Sequence, residues 1–246
     1  MRGESPRDPV ARFRDEAWTA GVIGLGYVGL PLAVAASEAG LDVIGFDISE
    51  DLVDTLSAGT SHVGDVSGAE LQAALGRGAT FTADASQLAK ADAIFIAVPS
   101  PLGRNRQPDT SFITSAAEII AAVARPGQLV SLESTTYPGT TDEIIVPALE
   151  TAGLTLDHDV FACFSPERVD PGNKLSTADI PKVVGGVTSL SGGGEWARSW
   201  AYGNAHLGGI YNPANHKVAI GNPRAGGGEH GSFPGMRIRN VRIGHR

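Results

Sequence analysis

Short apolar runs alternate with amphipathic stretches along the first 189 residues, a pattern that predicts repeated strand–helix–strand units around a parallel sheet. Strands are predicted at 19–23, 41–46, 79–82, 93–98, 128–132 and 160–164, and helices at 30–39, 51–58, 69–75, 111–124 and 141–152. Gly40, Pro126-Gly127 and Pro138-Gly139 punctuate the joins. Apolar periodicity is lost over residues 190–246, which hold 13 of the 32 glycines. The chain therefore reads as a doubly wound α/β domain over 19–188. A polar extension (1–18) precedes it, and an irregular, poorly ordered Gly-rich tail (189–246) follows.

Composition narrows the class. The 246 residues, 42% hydrophobic and 19% charged, suffice for one sizeable core. A single cysteine, Cys163, leaves no internal disulfide to form, which favours a reducing compartment. No apolar run reaches the ~18 residues of a membrane span, and the charged N-terminal stretch carries no signal-peptide core. These features predict a cytoplasmic protein that engages no membrane. The net charge of −8 divides unevenly: residues 1–189 carry −13 and residues 190–246 carry +5. The basic charges of the tail are dispersed and its aromatics do not interleave with them, so nucleic acid is not an expected partner.

Candidate chemistry begins where the first strand runs into Gly24-Leu25-Gly26-Tyr27-Val28-Gly29. In a strand–turn–helix context Gly24 permits the tight turn, Gly26 lets the backbone approach a pyrophosphate, and Gly29 lets the helix lie close to the sheet. The helix N-terminus adds free N–H groups and the positive end of its dipole. Asp47, 18 residues past Gly29 at the end of the second strand, suits the hydroxyls of an adenosine ribose and repels a 2′-phosphate. The expectation is a Rossmann-like domain binding NAD in preference to NADP, through Gly24, Gly26, Tyr27, Val28, Gly29 and Asp47.

Three more segments sit at predicted strand ends, where ligands collect in open α/β sheets: Pro99-Ser100-Pro101-Leu102, Glu133-Ser134-Thr135-Thr136-Tyr137-Pro138-Gly139-Thr140, and Phe164-Ser165-Pro166-Glu167-Arg168-Val169-Asp170-Pro171-Gly172-Asn173. Turn and cap chemistry accounts for their hydroxyls and prolines, but not for Glu-Arg after Ser-Pro. Other constellations fail. His206, His216, His230 and His245 are too irregularly spaced for a metal site, and Ser134 lacks the Gly-x-Ser-x-Gly setting of a hydrolase nucleophile. No metal is expected.

These segments, in this order behind Gly24-Leu25-Gly26-Tyr27-Val28-Gly29-Leu30-Pro31, closely resemble the UDP-glucose/GDP-mannose dehydrogenase family over roughly residues 21–188. Ser165-Pro166-Glu167-Arg168 followed by Pro171-Gly172-Asn173 is similar to the branch that oxidises UDP-N-acetylhexosamines. The resemblance implies a two-step, four-electron oxidation of the sugar C6 alcohol to a uronic acid, using two NAD and one water. It implies that Ser100 and Thr135 contact the cofactor, that Thr135 also helps place the reacting water, and that Glu167 assists hydrolysis of the covalent intermediate. Glu167, Arg168, Asn173 and Lys174 fall on the substrate side.

That chemistry demands a thiolate to trap the aldehyde. In the family the thiol, with a lysine and an asparagine, comes from a later region that finds no match here, as does the central dimerisation region. Cys163, inside a predicted buried strand, reads as a small core hydrophobe. The expectation is the cofactor-binding half alone, without turnover of its own; a homo-oligomer is compatible with the resemblance. Two alternatives stay open: a non-catalytic dinucleotide-binding or scaffold protein, and a hydroxyacid dehydrogenase transferring a single hydride.

Overall fold

The structure, a computed structural model, describes residues 13, 18–101, 108–166 and 184–187 and two short strands at 210–212 and 217–219. Strands β1 (Thr19–Ile23), β2 (Asp42–Phe46), β3 (Thr80–Thr82), β4 (Ala93–Ile96), β5 (Gln128–Leu132) and β6 (Val160–Phe164) form a parallel array in the order β3-β2-β1-β4-β5-β6. The order reverses between β1 and β4, and in open α/β sheets ligands collect outside the strands' carboxyl ends at such a switch point. Strand β7 (Val184–Gly186) pairs antiparallel with β6. Two further strands, β8 (Ile210–Asn212) and β9 (Lys217–Ala219), extend the sheet within the stretch that the sequence pattern reads as irregular.

Alternation along the strands divides the core in two. Val22, Phe95, Leu129 and Phe161 face helices α1 (Gly29–Glu38), α2 (Glu50–Ser57) and α3 (Gly68–Gly76), which contribute Leu30, Leu56 and Leu71. Ile23, Ile94, Ile96 and Val130 face the 3₁₀ segment Ala85–Lys90, α4 (Ser111–Val123) and α5 (Val146–Thr151), which a π-helical turn, Thr141–Ile145, precedes. Phe13 and Trp18, from the stretch read as a polar extension, are buried in the first core; their rings lie 5.3 Å apart, and Trp18 also meets Phe95.

The amino end of the sheet is closed by polar groups. Asp92, just before β4, accepts from the Thr19 amide at 3.0 Å and from Arg125 Nη2 at 2.8 Å. Arg125 also donates to the carbonyls of Ala89 and Ala91, and buried Gln128 donates to Ala91 at 2.8 Å. These bonds tie the starts of β1, β4 and β5 together, so binding chemistry is left to the opposite edge.

Candidate functional site

Gly24 turns the chain out of β1 at φ +87°, and a Cβ there would stand 2.8 Å from the Ala97 carbonyl oxygen, so only glycine fits. Its amide donates to the Phe46 carbonyl at 2.9 Å. Gly29, the first residue of α1, abuts the Gly24 carbonyl so closely that a Cβ would overlap it. Gly26 is the opposite case: nothing lies within 4 Å of where its Cβ would be. The three glycines thus divide as the sequence pattern predicts, two for packing and one facing open space.

Helix α1 begins without a side-chain cap, since Val28 stands at the N-cap, and without an acid in its first turn. Helix α2 differs, with Ser49 as cap and Glu50 and Asp51 behind it, and α3 starts with a Ser67–Glu70 capping box. The positive end of α1 is therefore left uncompensated at the mouth of the crevice, which suits an anionic ligand. A dinucleotide pyrophosphate fits the open face of Gly26 beside that helix end.

Asp47 follows β2 and is half-buried. Its Oδ2 accepts from the Leu25 amide at 2.9 Å, and its Oδ1 from the Ser49 amide at 3.1 Å. Each carboxylate oxygen has a second acceptor site, so capacity for ribose hydroxyls remains. The tie to the glycine turn is absent from the sequence pattern, which contains no signal for a backbone donor two elements away.

The far wall is stitched by hydroxyls. Ser134 Oγ donates to the Val98 carbonyl at 2.7 Å, and the Ser100 hydroxyl donates to the Thr135 carbonyl, joining the carboxyl ends of β4 and β5. Ser100 thus braces the loop that presents Thr135, whose side chain is exposed. Thr140 Oγ1 donates to the Tyr137 carbonyl at 2.8 Å, and the Tyr137 hydroxyl donates to Glu143 Oε2 at 2.7 Å, a bond that raises the phenol pKa. The exposed large hydrophobics among the described residues are Tyr27, Ile48, Phe112 and Tyr137; Tyr27, Ile48 and Tyr137 lie in the segments after β1, β2 and β5, and Phe112 in the first turn of α4.

Beneath the wall lies a buried polar group. Ser131 is in register with Cys163, and Ser131 Oγ donates to Glu133 Oε1 at 2.7 Å. Glu133 and Ser165 are fully buried, and Ser165 Oγ finds no hydrogen-bond partner among the described residues. Burial pushes the Cys163 thiol up to about 12, the Glu133 carboxylate adds to the rise, and a hydrogen bond with Ser131 opposes it. Cys163 is an inert core residue, as its place in the strand pattern suggests.

Gly24, Gly26, Tyr27, Val28, Gly29, Asp47, Ser100 and Thr135 all lie at the carboxyl ends of β1, β2, β4 and β5, along one edge of the sheet. Glu167, Arg168, Asn173 and Lys174 lie outside the described residues. Among the described residues no helix is long and apolar enough to cross a membrane.

The chain is similar to known proteins. The profile of the NAD-binding domain of the UDP-glucose/GDP-mannose dehydrogenase family matches residues 19–199. The chain is 41% identical over 169 residues to a UDP-N-acetyl-D-glucosamine 6-dehydrogenase of Pseudomonas aeruginosa, covering 68% of this chain and 39% of that protein. It is 36% identical over 180 residues to a UDP-N-acetyl-D-mannosamine dehydrogenase of Escherichia coli, covering 70% and 43%. A UDP-D-ManNAc dehydrogenase structure from Pyrococcus horikoshii superposes with a TM-score of 0.68 at 29% identity, covering 76% of this chain and 44% of that one. The chain spans about two-fifths of the length of the curated relatives it matches.

Proposed function

Because the chain belongs to the UDP-glucose/GDP-mannose dehydrogenase family, through that family's NAD-binding domain, we propose that it holds NAD in the β1/β4 crevice for oxidation of a UDP-N-acetylhexosamine at C6. The observation that carries the reading is the open face of Gly26, flanked by the uncompensated end of α1 and by Asp47. Bound NAD supplies hydride acceptance. The chain's own residues would bind and orient it: the Gly24–Gly29 turn at the pyrophosphate, with Tyr27 and Val28 beside it, Asp47 at the adenosine ribose, and Ser100 and Thr135 at the far wall. By family resemblance Thr135 also places the reacting water, Glu167 assists hydrolysis, and Glu167, Arg168, Asn173 and Lys174 meet the UDP-sugar. A guanidinium at Arg168 suits a phosphate or an N-acetyl oxygen.

The unit that performs this binding is residues 19–188, with 1–18 and 189–246 as flanking segments. A nucleotide-sugar substrate and a reduced thiol suit the cytoplasm, and a homo-oligomer is compatible with the family. The nucleophilic thiol of the two-step reaction must come from outside these 246 residues, because Cys163, their one cysteine, is buried and stays protonated. That same fact favours, for this chain alone, dinucleotide binding without turnover.

The test is titration calorimetry with NAD and NADP, followed by UDP-N-acetylglucosamine and UDP-N-acetylmannosamine in the presence of NAD. Tighter binding of NAD, and a sugar-nucleotide response that Arg168→Ala removes, are expected. Preference for NADP would end the cofactor assignment, and absence of any Arg168-dependent response would end the substrate assignment. Two NADH produced per sugar by this chain, abolished by Cys163→Ser, would overturn the exclusion of Cys163.

A further inference from the structure

We infer that Asp47 is a positioning residue for the phosphate-binding turn, which it shapes before any nucleotide arrives, as well as the acceptor for the ribose. The inference deepens the NAD reading and rests on it for the identity of the ligand. Gly24 N–H to Phe46 O is the last backbone rung between the β1 and β2 sides. The bond from the Leu25 amide to Asp47 Oδ2 adds one more rung past it, made by a side chain. Leu25 lies directly before Gly26, and its own side chain is fully buried. The turn is therefore pinned from both sides: by Leu25 in the core and by the Leu25 amide on the carboxylate.

The carboxylate is itself fixed. Asp47 Oδ1 accepts from the Ser49 amide, Ser49 Oγ caps α2 by accepting from the Leu52 amide, and the Asp47 amide donates to the Thr82 carbonyl at 3.2 Å. Asp47 thus links β3, the start of α2 and the glycine turn through three backbone contacts. An amide at the same place keeps one acceptor oxygen and puts an NH₂ group where the other stood, so it cannot hold Leu25 and Ser49 on separate oxygens as the carboxylate does. The ribose acceptor and the pyrophosphate cradle are one mechanical unit. Exchanging Asp47 to admit a 2′-phosphate would loosen the cradle for either cofactor.

The test compares the full chain with Asp47→Ala and Asp47→Asn, using two probes: NAD, and an NAD analogue lacking the 2′- and 3′-hydroxyls of its adenosine ribose. Asp47→Ala is expected to weaken the analogue by about five- to tenfold, although the analogue offers no hydroxyl to Asp47. The phosphorus-31 resonances of bound NAD are expected to move in the variant, a signature that a loss of global stability would not produce. In nucleotide-free protein the Leu25 amide should lose hydrogen-exchange protection by about tenfold or more, while β1 and β4 amides keep theirs. Equal affinity of wild type and variant for the analogue overturns the inference whatever the exchange shows. If wild type binds neither probe, the NAD reading fails and the exchange experiment decides: unchanged protection at Leu25 then refutes the positioning role. Should Asp47→Ala not fold, the same measurements on Asp47→Asn apply, with loss of protection at Leu25 or Ser49 expected and protection at both overturning the inference.

Discussion

Two glycines of the same turn are expected to respond to one added methyl group in opposite ways. At Gly26 a Cβ meets nothing within 4 Å and φ is outside the left-handed region. Gly26→Ala should therefore leave the nucleotide-free fold intact and, by restricting the unfolded chain, raise its stability by roughly 0.4–1 kcal/mol. At Gly29 the same methyl overlaps the Gly24 carbonyl oxygen, stands 2.9 Å from the carbonyl carbon and 3.2 Å from Val22 Cγ1. Relief of the overlap requires α1 to move off β1, and overpacking of this kind costs about 1–3 kcal/mol or more. The buried Leu30, Leu32 and Ala33 of α1 would have to follow. We expect Gly29→Ala to lose about 2 kcal/mol net. NAD affinity should fall in both variants, in Gly26→Ala by at least about tenfold, which is 1.4 kcal/mol, because the methyl occupies the space a pyrophosphate needs. Urea unfolding of the nucleotide-free proteins and NAD titration of each provide the two readouts. Gly26→Ala binding NAD like wild type, or losing as much stability as Gly29→Ala, would refute the division of labour among the glycines.

Three further outcomes are expected. Asp47→Ala should weaken NAD by about 1.5–3 kcal/mol and NADP by less, as measured by calorimetric titration of both cofactors. Arg125→Ala should destabilise the fold by about 2 kcal/mol in urea, since it strips a partner from buried Asp92 while Arg125 itself is a third exposed, and should leave NAD affinity unchanged because the brace lies at the opposite end of the sheet. Cys163 titrates near 12 in the fold against an ordinary value of 9.0, so the folded state holds its proton more tightly than the unfolded chain does. Its contribution is complete below pH ~9 and declines as pH rises towards 12, by about 4 kcal/mol in total, and Cys163→Ala should flatten that part of the stability–pH curve.

The strands were legible because each apolar run is short and bounded by glycine or proline, and because an acid or a glycine turn stands at the ends of β1 and β2. The helices were legible for the same reason, with errors of a residue or two at their ends. Less was legible where a shape depends on hydrogen bonds that carry no pattern. The helix predicted from residue 141 begins as a π turn, and the 3₁₀ segment at 85–90 has no periodic signal of its own. At the candidate site, residue types and their order singled out Gly24, Gly26, Gly29 and Asp47, which the fold sets along one edge of the sheet. The hold of Asp47 on Leu25, the brace from Ser100 to Thr135 and the burial of Glu133 depend on which backbone groups meet across the sheet, and a linear sequence does not record those meetings.

The burial of Cys163 has a practical side. With its one thiol protonated and enclosed through the neutral range, the chain is expected to behave towards maleimides and iodoacetamides as though it contained no cysteine. A fluorophore or spin label can then be addressed to one new cysteine on the crevice rim, at Tyr27 or Ile48, with no background substitution. The core need not be disturbed to watch a ligand arrive.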